Sequence, residues 1–272
     1  MIRSTLLAFL IVIAITVVLT VPALAERPEL YGLVLIIDPG HGGVDPGASG
    51  YFANNGSEVK VVEDEYVYDV ALRLRRMAKK YGAIVIMTTR DKKQTVPYAG
   101  SQTEVIPPDK NEVFTLSGRK VHSGRNRYLS QRTDIANQAL LKYPKHRVVY
   151  ISIHFDSSGN SELTGVHLIG PNTGKPAIVS LLEEEFRKER RLRTLNGAEY
   201  HPFQRNGSVR NLFILKGSNN AVDQRVLIEL GNFKNPADVW RIRDYRVREN
   251  YAQIVLRALI KLNGVVNLAA CQ

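Results

Sequence analysis

His41, His154 and Glu229 each stand at the end of a short apolar run, and all three carry side chains that bind metal or move protons. Leu33-Val34-Leu35-Ile36-Ile37 leads through Asp38-Pro39-Gly40 to His41, Arg147-Val148-Val149-Tyr150-Ile151-Ser152-Ile153 delivers His154, and Arg225-Val226-Leu227-Ile228 delivers Glu229. Zinc bound for hydrolysis takes three protein ligands from histidine and carboxylate and keeps a fourth position for water. The two histidines supply two neutral imidazoles. The third ligand is expected from Val61-Val62-Glu63-Asp64-Glu65, at the start of a predicted helix. Register favours Glu63, because Ala71 and Leu74 then share its apolar stripe, with Glu65 as runner-up. Asp64 and Glu65 also suit a simpler role, since acids in a first helical turn complement the helix dipole.

Glu229 ends a run that should be buried, which raises the pKa of a carboxylate. A carboxylate poised near neutrality beside metal-activated water suits a general base that later returns the proton as an acid. A structural carboxylate paired with an arginine is the competing role. Gly40, Gly42 and Gly43 let the backbone around His41 approach a ligand closely. Asp38 is expected to orient the His41 imidazole, as ligating histidines require, and Asp156 is a weaker candidate for the same service to His154. His122, His146, His167 and His201 lack such surroundings and read as surface or packing residues.

These groups need a frame that brings distant stretches of chain together. Apolar, β-branched runs bounded by Gly, Pro or Asp read as fully buried strands. Open α/β sheets place their chemistry beyond the carboxyl ends of such strands. Val67, Val70, Leu74 and Met77, with Ala71 and Ala78, form a helical stripe that predicts a helix over 66–80, stopped by Gly82. Residues 83–88 then read as another buried strand. Residues 92–129 form a polar insertion with Pro97, Pro107, Pro108, Gly100, Gly118 and Gly124, and a loop of this length is usually functional or disordered. Helical patterns return at 130–141, at 178–195 as a charged and mainly solvated helix, and at 236–262. From Gly32 onward the order is strand, loop, helix, strand, insertion, helix, strand, loop, helix, strand, helix.

The chain has 272 residues, 44% hydrophobic and 23% charged, enough for one sizeable α/β domain. Residues 1–25 read as a secretory signal peptide: Arg3, an apolar stretch from Leu6 to Val21, then Ala23-Leu24-Ala25 as the cleavage signal. An uncleaved anchor is the competing reading. The mature domain is expected to span 26–272, in the periplasm or at the cell wall outside the cell, with no membrane contact after cleavage. Cys271 is the sole cysteine, which excludes an internal disulfide and a thiolate metal site. A formal charge of +11 points to polyanions, and for an exported protein these are anionic envelope polymers. Nucleic acid is disfavoured by export and by the lack of basic motifs interleaved with aromatics.

The motifs, taken in order, resemble a known family. Ile37-Asp38-Pro39-Gly40-His41-Gly42-Gly43 with Asp45-Pro46-Gly47-Ala48 resembles the opening motif of zinc-dependent N-acetylmuramoyl-L-alanine amidases. Ser152-Ile153-His154 resembles their second histidine motif, and the stretch from Leu227 to Asn235 their catalytic glutamate motif. Thr89-Arg90, Arg132 and Ala136-Asn137 also fit, and the resemblance runs from about Leu33 to Leu262. It implies a twisted mixed sheet between helices, one zinc ion held by two histidines and a glutamate, and cleavage of the amide between muramic acid and L-alanine in peptidoglycan. It leaves open a protein activator.

The chain departs from the pattern in four places. Asn232 stands where Phe is common, and Phe155-Asp156 replaces small residues after the second histidine. The acidic segment lies further from His41 than usual, and the insertion is longer. Two other functions compete. A zinc peptidase or carboxypeptidase would use the same metal and an arginine, Arg90 or Arg132, to hold a terminal carboxylate. An inactive wall-binding regulator would need a lost ligand or base, and none is missing.

Overall fold

The structure, a computed structural model, describes residues 27–54, 56–101, 104–122, 126–189, 208–209 and 212–269. Along the chain run β1 (Leu33–Pro39), a hairpin of β2 (Ser49–Asn54) and β3 (Ser57–Val62), α1 (Glu63–Lys80), β4 (Ile84–Met87), β5 (Thr89–Arg90), β6 (Val113–Phe114) and α2 (Asn126–Lys142). There follow β7 (Arg147–Asp156), β8 (His167–Gly170), α3 (Ala177–Lys188), β9 (Ser208–Val209), a single 3-10 turn (Phe213–Leu215), β10 (Gln224–Asn232), α4 (Pro236–Arg243) and α5 (Tyr245–Ala269).

The apolar runs become the centre of one six-stranded sheet, ordered β4-β1-β7-β10-β8-β9. Its first four strands are parallel, while β8 runs antiparallel to β10, so the sheet is mixed. Strand alternation divides β1 between two cores. Leu33, Leu35 and Ile37 pack with Val67, Val70, Ala71 and Leu74 of α1 and with α5. Val34 and Ile36 face Ile135, Ala136 and Ala139 of α2 on the other side. The result is a single α/β domain with helices on both faces of its sheet, as expected.

Several local expectations need correction. The stretch between His41 and the first helix contains the β2–β3 hairpin, and α1 begins at Glu63 rather than 66. The 92–129 insertion is not a loose loop. Within it, β6 pairs with β5, Ile106, Phe114 and Val121 are buried, and Tyr66, Tyr68, Asp69 and Arg73 of α1 bond to its flanks and backbone. α3 is not mainly solvated, because Ile178, Val179, Leu182 and Phe186 are buried and Phe186 meets Tyr251 of α5. The last helix is two: α4 ends at Arg243 and α5 starts at Tyr245. Residues 1–25, 190–195, His201 and Cys271, for which expectations were stated, lie outside the described residues. No helix among the described residues is long and apolar enough to cross a membrane.

Candidate metal centre and active site

The three parallel strands end on one edge, and the chemistry gathers there. His41 follows β1, held with φ at 60°, the left-handed region that side chains rarely adopt. His154 lies two residues before the end of β7. β10 pairs with β7 so that Glu229 is in direct register with His154, which turns both side chains to the same face. Glu63 opens α1 directly beneath the two histidines.

Glu63 Oε2 lies 3.2 Å from His41 Nε2, and Oε1 lies 3.0 Å from His154 Nδ1. The carboxylate is fixed by two backbone donors, Ala48 N at 2.8 Å and Phe155 N at 2.9 Å. Two glycines make room for this approach. A Cβ on Gly40 would sit 2.3 Å from the His154 ring, and one on Gly47, whose φ is 67°, would sit 2.5 Å from Glu63 Oε2 and 2.6 Å from the His41 ring. Ligand atoms of His41, Glu63 and His154 lie within 4.8 Å of one another. Two imidazoles and a carboxylate are the donor set of a hydrolytic zinc centre, so the residues present fit the metal.

The electrostatics point the same way. Burial opposes charge on His41, but the carboxylates of Glu63 and Asp45 outweigh it and push the imidazole up to about 10. Burial would also raise Glu63, yet the two histidines hold it well below the usual carboxylate range. A cation in this cluster takes the place of the protons that the imidazoles otherwise attract. Glu63 is only 2% exposed, Glu229 is 9% exposed, and the two histidines are part-exposed.

Two orienting roles are corrected. Asp38 does not touch His41, because it shares strand phase with Val34 and Ile36 and points to the α2 side of the sheet. There its Oδ1 accepts from Arg132 at 2.6 Å and Thr88 at 2.5 Å, and its Oδ2 accepts from Tyr150 at 2.7 Å and Ser152 at 2.8 Å. Burial would raise its pKa, but Arg132 and these hydrogen bonds lower it. Arg132 also donates to the carbonyls of Pro39 and His41, at 2.5 and 2.6 Å, and so clamps the histidine loop from below. The side chain 3.1 Å from His41 Nδ1 is instead Asp45, of the same opening motif. Asp156 is not bonded to His154; its Oδ1 accepts from Ser157 N.

The departures from the family pattern acquire structural reasons. Asn232 donates to the carbonyls of Asn160 and Leu163 and accepts from Ser158 N and Lys234 N, which ties down the loop after β7. Phe155 packs against Phe233 with tilted rings, centroids 4.4 Å apart. Asn235 caps α4, accepting from Ala237 N and Asp238 N. Of the remaining histidines, His122 is exposed and His167 is fully buried, in register with Glu229 on β8.

Glu65, the alternative third ligand, does not join the histidines. It accepts from Asp109 N and, with Asp64, faces Glu112 of the insertion. Burial and the neighbouring carboxylates push Asp64 up to about 7 and Glu65 up to about 8.

Residues 35–261 match the model of a family described as N-acetylmuramoyl-L-alanine amidase. The germination-specific N-acetylmuramoyl-L-alanine amidase of Bacillus subtilis is 23% identical over 235 residues, 85% of this chain and 80% of that protein. The probable cell wall amidase LytH of Staphylococcus aureus is 25% identical over 234 residues, 86% of this chain but only 60% of its own length. Among solved structures, the CwlD amidase of Clostridioides difficile, in complex with the GerS lipoprotein, superposes with a TM-score of 0.54 at 19% identity. The superposition covers 86% of this chain and 98% of that one, and at this identity it shows a common fold.

Proposed function

The chain belongs to the N-acetylmuramoyl-L-alanine amidase family, and from that premise we propose an exported, zinc-dependent hydrolase of the amide between N-acetylmuramic acid and the L-alanine of the stem peptide in peptidoglycan. The observation that carries the reading is the gathering of His41, Glu63 and His154 within ligand distance, with Glu229 in register beside them. His41, Glu63 and His154 would hold the ion. Bound zinc would polarise the amide carbonyl and lower the pKa of water toward ~7.

The rest is done by the chain's own residues. Asp45 lies 3.1 Å from His41 Nδ1, and Arg132 holds the loop that carries the ring. Glu229 accepts the proton of the attacking water and passes it to the leaving nitrogen of L-alanine. The C–N bond breaks, the water oxygen stays on the lactyl carbonyl carbon, and the peptide leaves with a free amino terminus. The carboxypeptidase alternative is weakened at Arg132, which is buried and engaged with Asp38 and two backbone carbonyls rather than turned to a substrate.

Export rests on the pattern of residues 1–25, and the mature unit would be 26–272 with 92–129 inserted. The site of action would be the periplasm or the cell wall, where the positive charge favours anionic envelope polymers. A protein partner also fits this setting, as the CwlD–GerS complex illustrates for a relative. Digestion of purified peptidoglycan with residues 26–272 tests the reading. Mass spectrometry should find intact stem peptides with a free L-alanine amino terminus. Shortened stems would overturn it in favour of a peptidase, and unchanged wall in favour of a binding protein.

A further inference from the structure

The insertion and the residue just before it bring three acids, Asp91, Asp109 and Glu112, against Asp64 and Glu65 in the first turn of α1. Their oxygens form two triads, Asp64–Glu65–Glu112 and Asp91–Asp109–Glu112, each with ligand atoms within 4.8 Å of one another, and Glu112 belongs to both. Four of the five are almost fully buried: Glu65 is 0%, Glu112 1%, Asp64 2% and Asp91 3% exposed.

Part of this oxygen surface is already bonded to backbone. Gly43 N donates to Glu112 Oε2 at 2.7 Å, Lys93 N to Asp91 Oδ1 at 2.7 Å, Asp109 N to Glu65 Oε1 and Glu65 N to Asp64 Oδ1 at 3.0 Å. Asn111 donates to both oxygens of Asp109. Three buried oxygens have no donor: Glu65 Oε2, Asp91 Oδ2 and Glu112 Oε1. Among the described residues none of the five acids forms an ion pair with lysine or arginine. Buried carboxylates left in this state are strongly unfavourable, and buried charge is normally paired or coordinates metal.

The donor chemistry selects the partner. Oxygen-only, all-carboxylate sites suit hard cations, whereas zinc prefers nitrogen and sulfur. Calcium accepts six to eight oxygens in flexible geometry, while magnesium demands a near-ideal octahedron and keeps its waters. We propose that Glu112, with Asp64, Glu65, Asp91 and Asp109, binds calcium and thereby fastens the inserted segment to the loop that carries His41. The link to that loop is direct: Glu112 bonds Gly43 N and lies against Gly42, and Val121 O accepts from Val44 N at 3.1 Å. The donors are separate from His41, Glu63 and His154, so the proposal stands whichever amide the enzyme cleaves.

The test uses the purified chain, stripped by chelator, reloaded with zinc and titrated with calcium chloride. Bound calcium is measured by metal analysis and stability by thermal unfolding. Calcium should bind in addition to zinc and raise Tm by roughly 5–10 °C at about a hundredfold excess over its Kd. Magnesium chloride should give a clearly smaller rise. Glu112→Gln keeps an acceptor for Gly43 N and should lose both the calcium and the rise. Its calcium-free form should melt no lower than wild type, since one repelling charge is gone. Should that variant fail to fold, Asp91→Asn gives the same reading. No calcium bound at millimolar concentration, or a rise that survives both substitutions, overturns the proposal.

Discussion

Glu63 and its two successors leave the same helical turn for different destinations, and the two clusters they join are opposites. Glu63 meets two part-exposed imidazoles at hydrogen-bond distance. Asp64 and Glu65 meet only other carboxylates, almost entirely away from water. The helix makes this possible because consecutive side chains point about 100° apart. A part-exposed set of two imidazoles and a carboxylate leaves room for a substrate and a reacting water, while a closed, all-carboxylate set leaves room only for a counter-ion. The contrast teaches that three adjacent acids, which composition alone would treat as equivalent, divide between chemistry and fastening.

The largest effect should come from breaking the first cluster. Glu63→Ala is expected to reduce co-purified zinc from about one per chain to background and to abolish turnover. Glu65→Ala should leave zinc in place. Metal analysis of the two variants decides, and the reverse result would dissolve the distinction between the clusters. Next in size, Glu229→Gln should lower kcat by about 10²–10⁴ while zinc content stays unchanged, because it removes a proton carrier and not a ligand. Loss of metal from that variant would make Glu229 part of the donor set.

A smaller effect falls on folding rather than on turnover. Asp38→Asn leaves the buried Arg132 without its carboxylate and should cost about 3–5 kcal/mol at neutral pH. The folded pKa of Asp38 lies below its unfolded value of 3.8, so its contribution is complete above about pH 4 and is lost as pH falls through the folded value. Urea unfolding of metal-free wild type and variant should therefore converge as pH drops below about 4. A gap that stays constant there would mean that Asp38 stabilises the fold by shape alone.

Periodicity made the frame legible. Uninterrupted β-branched runs announced β1, β7 and β10, and the stripe from Val67 to Ala78 announced α1. The β2–β3 hairpin left a shorter signal: Glu58-Val59-Lys60-Val61 alternates as a strand should, but it is brief and runs straight into the acidic start of α1. The direction of Asp38 is readable from strand phase alone: it alternates with Val34 and Ile36 and so points away from Leu35 and Ile37. Asp45 carried no such signal, since a glycine-rich turn has no period. Nor did the calcium candidates, which are assembled from three separate stretches, 64–65, 91 and 109–112.

The pairing of His154 with Glu229 on adjacent strands has a consequence for how the molecule matures. Slippage of β10 by a single residue against β7 would turn Glu229 to the opposite face, into the core shared with α1 and α5 rather than beside the histidines. A chain with near-native helix content but a misaligned central ladder would thus be silent toward substrate, not slow. Turnover therefore doubles as a gauge of strand alignment: in a refolding time course, recovered activity counts the molecules whose two inner strands have locked in step.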